Sequence, residues 1–185
     1  MISEPGRPAS ARRALLERAT VREVLMGAQD NLTNVLAVVL GVTIGAGRAE
    51  LVALAGTAAA VAEAISMGGV LYTATRAERD LDARERGEPA GASSEPRLGP
   101  AGAAAVCGLA ALAGGLLPLL PFLALPLAGA VVASLALSIV ALFALGSATA
   151  SITRRSWWRD GLRLVAIAGT AALAAALIGA VLRVD

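Results

Sequence analysis

Apolar residues gather into five runs of membrane-spanning length, Val24–Ile44, Leu51–Thr73, Pro100–Leu120, Leu127–Ala148 and Leu164–Leu182, with polar residues concentrated between them. A run of ~20 apolar residues is what an α-helix needs to cross a ~30 Å hydrocarbon layer. The pattern predicts an all-α integral membrane protein with five transmembrane helices. Gly45, Ala46 and Gly47 close the first run, and a short turn carrying Arg48 and Glu50 leads into the second. Pro118, Pro121 and Pro126 cluster between the third and fourth, predicting a bent connection in which some helical hydrogen bonds are lost.

The polar stretches divide the chain into four parts. Residues 1–23 form an amino-terminal segment: a Pro/Gly/Ser start expected to be disordered, then Ala11–Glu23, which suits either an amphipathic helix on lipid headgroups or a solvated basic lead-in. Residues 24–75 form a hairpin of two spans, 76–99 a charged linker, and 100–185 a three-span bundle. In the linker, Arg76–Glu88 continues the second helix with mixed charge, and Pro89, Gly91 and Pro96 then break it. Residues 1–20 hold no continuous apolar core, so the first span is expected to act as its own insertion signal.

Composition sharpens this picture. Hydrophobic residues make up 57% of the chain, against roughly 45–50% in soluble domains. Only 3% are aromatic, so bulk must come from close helix packing through small side chains. Ala60, Ala64 and Gly68, four residues apart, offer such a groove on the second span. The Arg residues cluster before the first span and after the second and fourth, whereas the first and third connections hold only Arg48. The positive-inside bias then places the amino terminus in the cytoplasm and the carboxyl terminus outside. Trp157 and Trp158 among arginines have the composition of an interfacial belt. There is no His and one cysteine, Cys107, which excludes an intrachain disulfide and argues against a tetrahedral zinc site or His-ligated haem; Cys107 itself reads as packing.

Chemistry is concentrated in the first two spans. Asp30, Asn31, Asn34, Glu63 and Met67 interrupt otherwise lipid-soluble sequence, and intramembrane carboxylates are costly enough to require a function. If the two helices run antiparallel, Asp30 lies ~6 Å and Met67 ~7–8 Å to the cytoplasmic side of their midpoints, at matching depth. Glu63 is one turn from Met67 on the same face, while Asp30, Thr33 and Asn34 share a face of the first helix. Carboxylate and amide oxygens with a thioether fit Fe2+ or Mn2+ better than Mg2+, and a proton would compete with the cation for either carboxylate. Plainer roles exist for each group. Met67 suits gap filling, Asn31, Asn34 and Ser66 suit interhelical hydrogen bonding, and Asp30 suits an interface position if the span begins later. Glu63 sits mid-span, where no shift of boundary brings it to water. The linker acids Glu78, Asp80, Asp82, Glu85 and Glu88 read as a solvated mixed-charge face or as metal collectors.

These residues carry a family resemblance. Val24–Gly45 (VLMGAQDNLTNVLAVVLGVTIG), Ala64–Tyr72 (AISMGGVLY) and Arg76–Asp80 (RAERD) resemble the vacuolar iron transporter family, as do Leu116–Phe122 (LLPLLPF), Ala141–Gly146 (ALFALG) and the last span from Gly161. The resemblance implies five transmembrane helices and a homodimer with the ion path at its interface. It also implies export of Fe2+, often also Mn2+, from the cytosol in exchange for protons. The family's first-helix aspartate falls on Asp30 and its second-helix methionine on Met67, and only Glu78, Glu85 and Glu88 correspond to the metal-collecting glutamates of the linker. The chain departs from the family in three places: Asn31 replaces a glycine, Leu71 stands where many bacterial members carry a glutamate, and Glu63 occupies a position that is commonly small.

The resulting expectation is a proton-coupled Fe2+/Mn2+ transporter whose metal residues are Asp30, Met67, Glu63, Asn34, Glu78, Glu85 and Glu88. Its partners are membrane lipids, the divalent metal, protons and a second copy of the chain. No permanent cofactor, enzymatic activity or nucleic acid is expected. A Lys-free, Arg- and Ala-rich composition suggests a high-GC bacterium and hence its plasma membrane. The alternative is a non-transporting scaffold or partner subunit that keeps the transporter fold.

Overall fold

Without water to satisfy the backbone, an apolar chain in lipid has to make its hydrogen bonds within each segment. In the computed structural model, which describes residues 9–89, 98–153 and 155–183, it does so through five long helices: α1 (Ala9–Ala46), α2 (Ala49–Glu85), α3 (Pro100–Leu116), α4 (Leu127–Thr153) and α5 (Trp157–Val181). A 3-10 helix, Leu117–Leu123, prolongs α3. Counted with it, all five helices are long and apolar enough to span a membrane, and no strand occurs among the described residues.

The ends follow local chemistry. Gly47, at φ +63°, closes α1 with its N–H on the Thr43 carbonyl, and Gly87, at φ +69°, closes α2 with its N–H on Arg84. Both conformations suit glycine because it carries no Cβ to clash. α1 is continuous through residue 23, so the basic lead-in and the first span are one helix. The 37 residues of α2 make it ~55 Å long at ~1.5 Å each, well beyond the hydrocarbon layer. Its last turns carry Arg76–Glu85, the charged helical continuation read from the sequence. Pro118 begins the 3-10 helix and Pro121 lies inside it; each lacks an N–H, which favours a short, tight turn over a further α-helical one. The expected disordered start and most of the broken half of the linker, residues 90–97, lie outside the described residues.

α1 is the hub, packing against all four other helices. Small residues make the close approach possible. Gly114 of α3 rests on the backbone of Ala28, where an added Cβ would lie 2.8 Å from Cα, and Gly179 of α5 rests on Gly41. The groove of Ala60, Ala64 and Gly68 receives α3: Ala60 and Ala64 are buried, and Gly68 meets Ala104 and Gly108. Three apolar clusters fill the remaining space. Val35, Val39, Val52, Ala60 and Leu119 form one, Leu32, Leu142 and Ala168 another, and Leu71, Ala103 and Cys107 a third. Large apolar side chains such as Ile65, Leu173 and Val181 face outward, as lipid contact requires. At the α4–α5 corner Trp157 meets Phe143 edge-on at 6.0 Å, and the Arg159 guanidinium lies 5.3 Å from the Trp158 ring.

Packing this close leaves little room for an extra methyl. Gly114→Ala is expected to lower the thermal unfolding midpoint in detergent, by an overpacking cost of ~1–3 kcal/mol or more. Gly169→Ala, with nothing within 4 Å of the added atom, should leave the midpoint unchanged or raise it.

Candidate metal path along the first two helices

Successive residues on α1 point ~100° apart, so Asp30 and Asn31 serve different surfaces. Asn31 turns inward and is fully buried. Its amide nitrogen donates to the Ala60 carbonyl of α2 and the Ala111 carbonyl of α3, each at 2.9 Å. Both partners are acceptors, so only the NH2 end of the amide can face them, and Oδ1 is left buried without a partner. The interhelical role considered for Asn31 is therefore the one it fills.

Asp30 turns outward and is exposed, as are Asn34 one turn on and Ser66 of α2. Thr33, between them, returns its hydroxyl to the Gln29 carbonyl at 2.9 Å. Glu63 of α2 is partly buried and lies near enough to Asp30 for the two carboxyl groups to influence each other electrostatically. Like charges so placed repel unless a cation or proton sits between them. The pair lies within two apolar helices, beside the exposed Val61 and Ile65.

Met67 is one turn from Glu63, half-buried, and packs against the cluster of Leu71, Ala103 and Cys107. Depth alone paired Met67 with Asp30; the tertiary arrangement sets Glu63 opposite Asp30 and seats the thioether at the α2–α3 seam. Glu78 and Glu85 are exposed on the extension of α2, and Glu88 pairs with Arg86 at 3.0 Å. Among the described residues, no group of three or more His, Cys, Asp or Glu side chains is assembled to hold a metal. Among the described residues of this chain the linker acids and the intramembrane carboxylates thus do not gather into one metal-holding group.

Glu23 was not singled out from the sequence, because it stood at the end of the basic lead-in. Its residue is only 5% exposed. Oε1 takes a hydrogen bond from the Arg22 guanidinium at 3.2 Å, while Oε2 is buried without a partner. Glu23, Gly27, Asp30 and Asn34 recur at three- and four-residue spacing, a stripe that extends the polar face of α1 toward its arginine-rich end. That spacing was the available signal. Ser134 and Ser138 of α4, also buried without hydroxyl partners, gave no comparable warning in the sequence.

A model of the VIT family matches the chain over residues 21–95 and 83–180, reaching into all five helices and covering the Asp30 and Glu63 segments. No curated protein matches the chain.

The two carbonyls around Asn31 lead to a stability prediction. Asn31→Asp sets carboxylate oxygens against acceptors and is expected to destabilise the bundle by at least ~1–3 kcal/mol. Thermal unfolding of the purified variant in detergent measures this; a midpoint equal to that of the unaltered protein would show that the amide bonds contribute nothing.

Proposed function

This chain belongs to the VIT family, and on that premise we propose that it is a proton-coupled transporter moving Fe2+ or Mn2+ out of the cytosol. Membrane metal-ion transport is the activity of the family, and the five apolar helices make the chain an integral membrane protein. The observation that carries the finer reading is the Asp30–Glu63 pair. Two carboxyl groups lie within electrostatic range of each other inside the spans, and Asp30, Asn34 and Ser66 lie open on the surface. Charged and amide groups are not stable against lipid tails. A second copy covering this face turns the exposed stripe into a lined path, which supports a homodimer with the path at its interface.

The donor set fits the cargo. Carboxylate and amide oxygens bind divalent first-row cations, and neither a thiolate nor an imidazole completes a cage that would retain them. Met67 adds a polarisable donor near the same level. A cation between Asp30 and Glu63 and protons on those groups exclude one another, so acid on the far side releases the metal as protons enter. The Arg-rich amino-terminal segment and linker support a cytoplasmic amino terminus, and five spans then put the carboxyl terminus outside. In a bacterium this is the plasma membrane. The second reading is a non-transporting scaffold or partner subunit that keeps the fold; the exposed, separate positions of Glu78 and Glu85 are compatible with it.

Proteoliposomes with an acidic lumen distinguish the two. Unaltered protein is expected to take up Fe2+ or Mn2+ in proportion to the pH gradient. Asp30→Ala and Glu63→Ala should each reduce initial uptake at least about tenfold, equivalent to ~1.4 kcal/mol of lost ion stabilisation. Uptake unchanged in both variants would remove these residues from the path. No metal flux at all, with a second protein retained through purification, would establish the scaffold reading.

A further inference from the structure

We propose that Asn31 is a positioning residue: its amide locks α1 in register with α2 and α3, so that Asp30 and Glu63 meet at one separation and the path selects cations by size. The proposal rests on the reading of Asp30 and Glu63 as the lining of a cation path.

Three observations converge on this residue. Its two amide protons are spent on carbonyls of two different helices, Ala60 and Ala111, both at 2.9 Å, which joins three helices at one level. The room for it exists because position 115 is glycine; a Cβ there would lie 2.6 Å from Nδ2, 2.7 Å from Cγ and 2.8 Å from Oδ1. Asn31 and Gly115 are thus complementary in shape across the α1–α3 seam. Finally, Oδ1 is buried with no donor, an unfavourable feature that an apolar side chain of the same size would avoid.

The amide also stands where register matters most. Asp30 immediately precedes Asn31, and Glu63 lies three residues, nearly one turn, after Ala60. A slip of one turn between α1 and α2 would carry the two carboxyls ~5.4 Å past each other. The neighbouring cluster of Val35, Val39, Val52, Ala60 and Leu119 is apolar and gains no hydrophobic drive in lipid, so close packing and the short turn at Gly47 hold the helices broadly in place while the amide bonds fix the finer register. Cation discrimination is finer still: ligand distances of ~2.0–2.1 Å for Mg2+ and ~2.3–2.6 Å for Ca2+ differ by only a few tenths of an ångström. A hydrogen-bonded clamp next to the ligand supplies a constraint on that scale.

The test uses the full chain with two substitutions that remove the clamp from opposite sides. Asn31→Leu deletes the donors and the orphaned oxygen together, while Gly115→Ala pushes the amide aside without altering any residue of α1 or α2. Spin labels at Val24→Cys and Val70→Cys, both exposed, in a Cys107→Ala background diluted with unlabelled protein, report the α1–α2 distance within one protomer. Both variants should displace or broaden that distance by about half a turn, ~2.7 Å. In proteoliposomes both should lower the ratio of Mn2+ to Ca2+ uptake on the order of tenfold, as expected where cavity size and rigidity set selectivity. Variants with a lowered unfolding midpoint but the original distance and cation ratio would overturn the proposal, since that is the signature of a purely structural amide. If Asn31→Leu does not accumulate, Asn31→Ala takes its place in both measurements. Should the unaltered protein carry no cation, the distance measurement still decides: a shift upholds the register lock and removes the transport reading, and no shift removes the lock.

Discussion

A buried amide with two carbonyls to satisfy and no water within reach is a demanding group to place between helices. Everything near Asn31 is arranged around that demand. α3 presents two glycines at the contact, Gly114 against the Ala28 backbone and Gly115 against the amide itself, so that the helices come close enough for Nδ2 to reach Ala111. α2 presents Ala60, buried and small, with its carbonyl toward α1. In water, hydrophobic burial would hold three such helices together; in lipid that drive is absent, and tight packing plus interhelical hydrogen bonds have to supply the cohesion. The clamp and the glycines depend on each other.

The same arrangement decides what faces outward. With Asn31 directed to the interior, Asp30 is turned to the surface, and α2 brings Glu63 into its electrostatic neighbourhood. The closest helix contacts are made by small residues, while Asp30 lies exposed at an edge with Glu63 partly buried beside it. Such an edge is costly against hydrocarbon, and the proposed second copy and cation would relieve that cost. Glu23, buried nearer the arginine-rich end with one oxygen orphaned, extends the acidic stripe along the same helix.

How much of this could be read beforehand varied with the kind of information required. The five spans, the glycine-terminated turn after Ala46, the proline-bent connection and the helical run beyond Tyr72 were legible because each is set by local composition. Asp30 and Glu63 were legible as anomalies, since a carboxylate in an apolar run is conspicuous whatever its neighbours. Their pairing was not. Depth along the helix axis placed Asp30 level with Met67, but depth says nothing about rotation around that axis, and rotation sends Met67 toward Leu71, Ala103 and Cys107. Glu23 went unnoticed for a related reason: among arginines it looked solvated, and only the packed structure shows it enclosed.

The amino-acid sequence by itself determined that this is a five-helix membrane protein, where each helix runs, and which residues are too polar for their surroundings. These properties depend on hydropathy and helix-breaking residues within a few turns of chain. The tertiary structure alone decided which polar residue turns inward to bond neighbouring helices and which turns outward. Asn31 and Asp30 are adjacent and similar in size, and one bonds three helices while the other faces Glu63. The reason is geometric: a ~100° step around α1 separates them, and only the positions of Ala60, Ala111 and Gly115 on other helices say which direction is the interior.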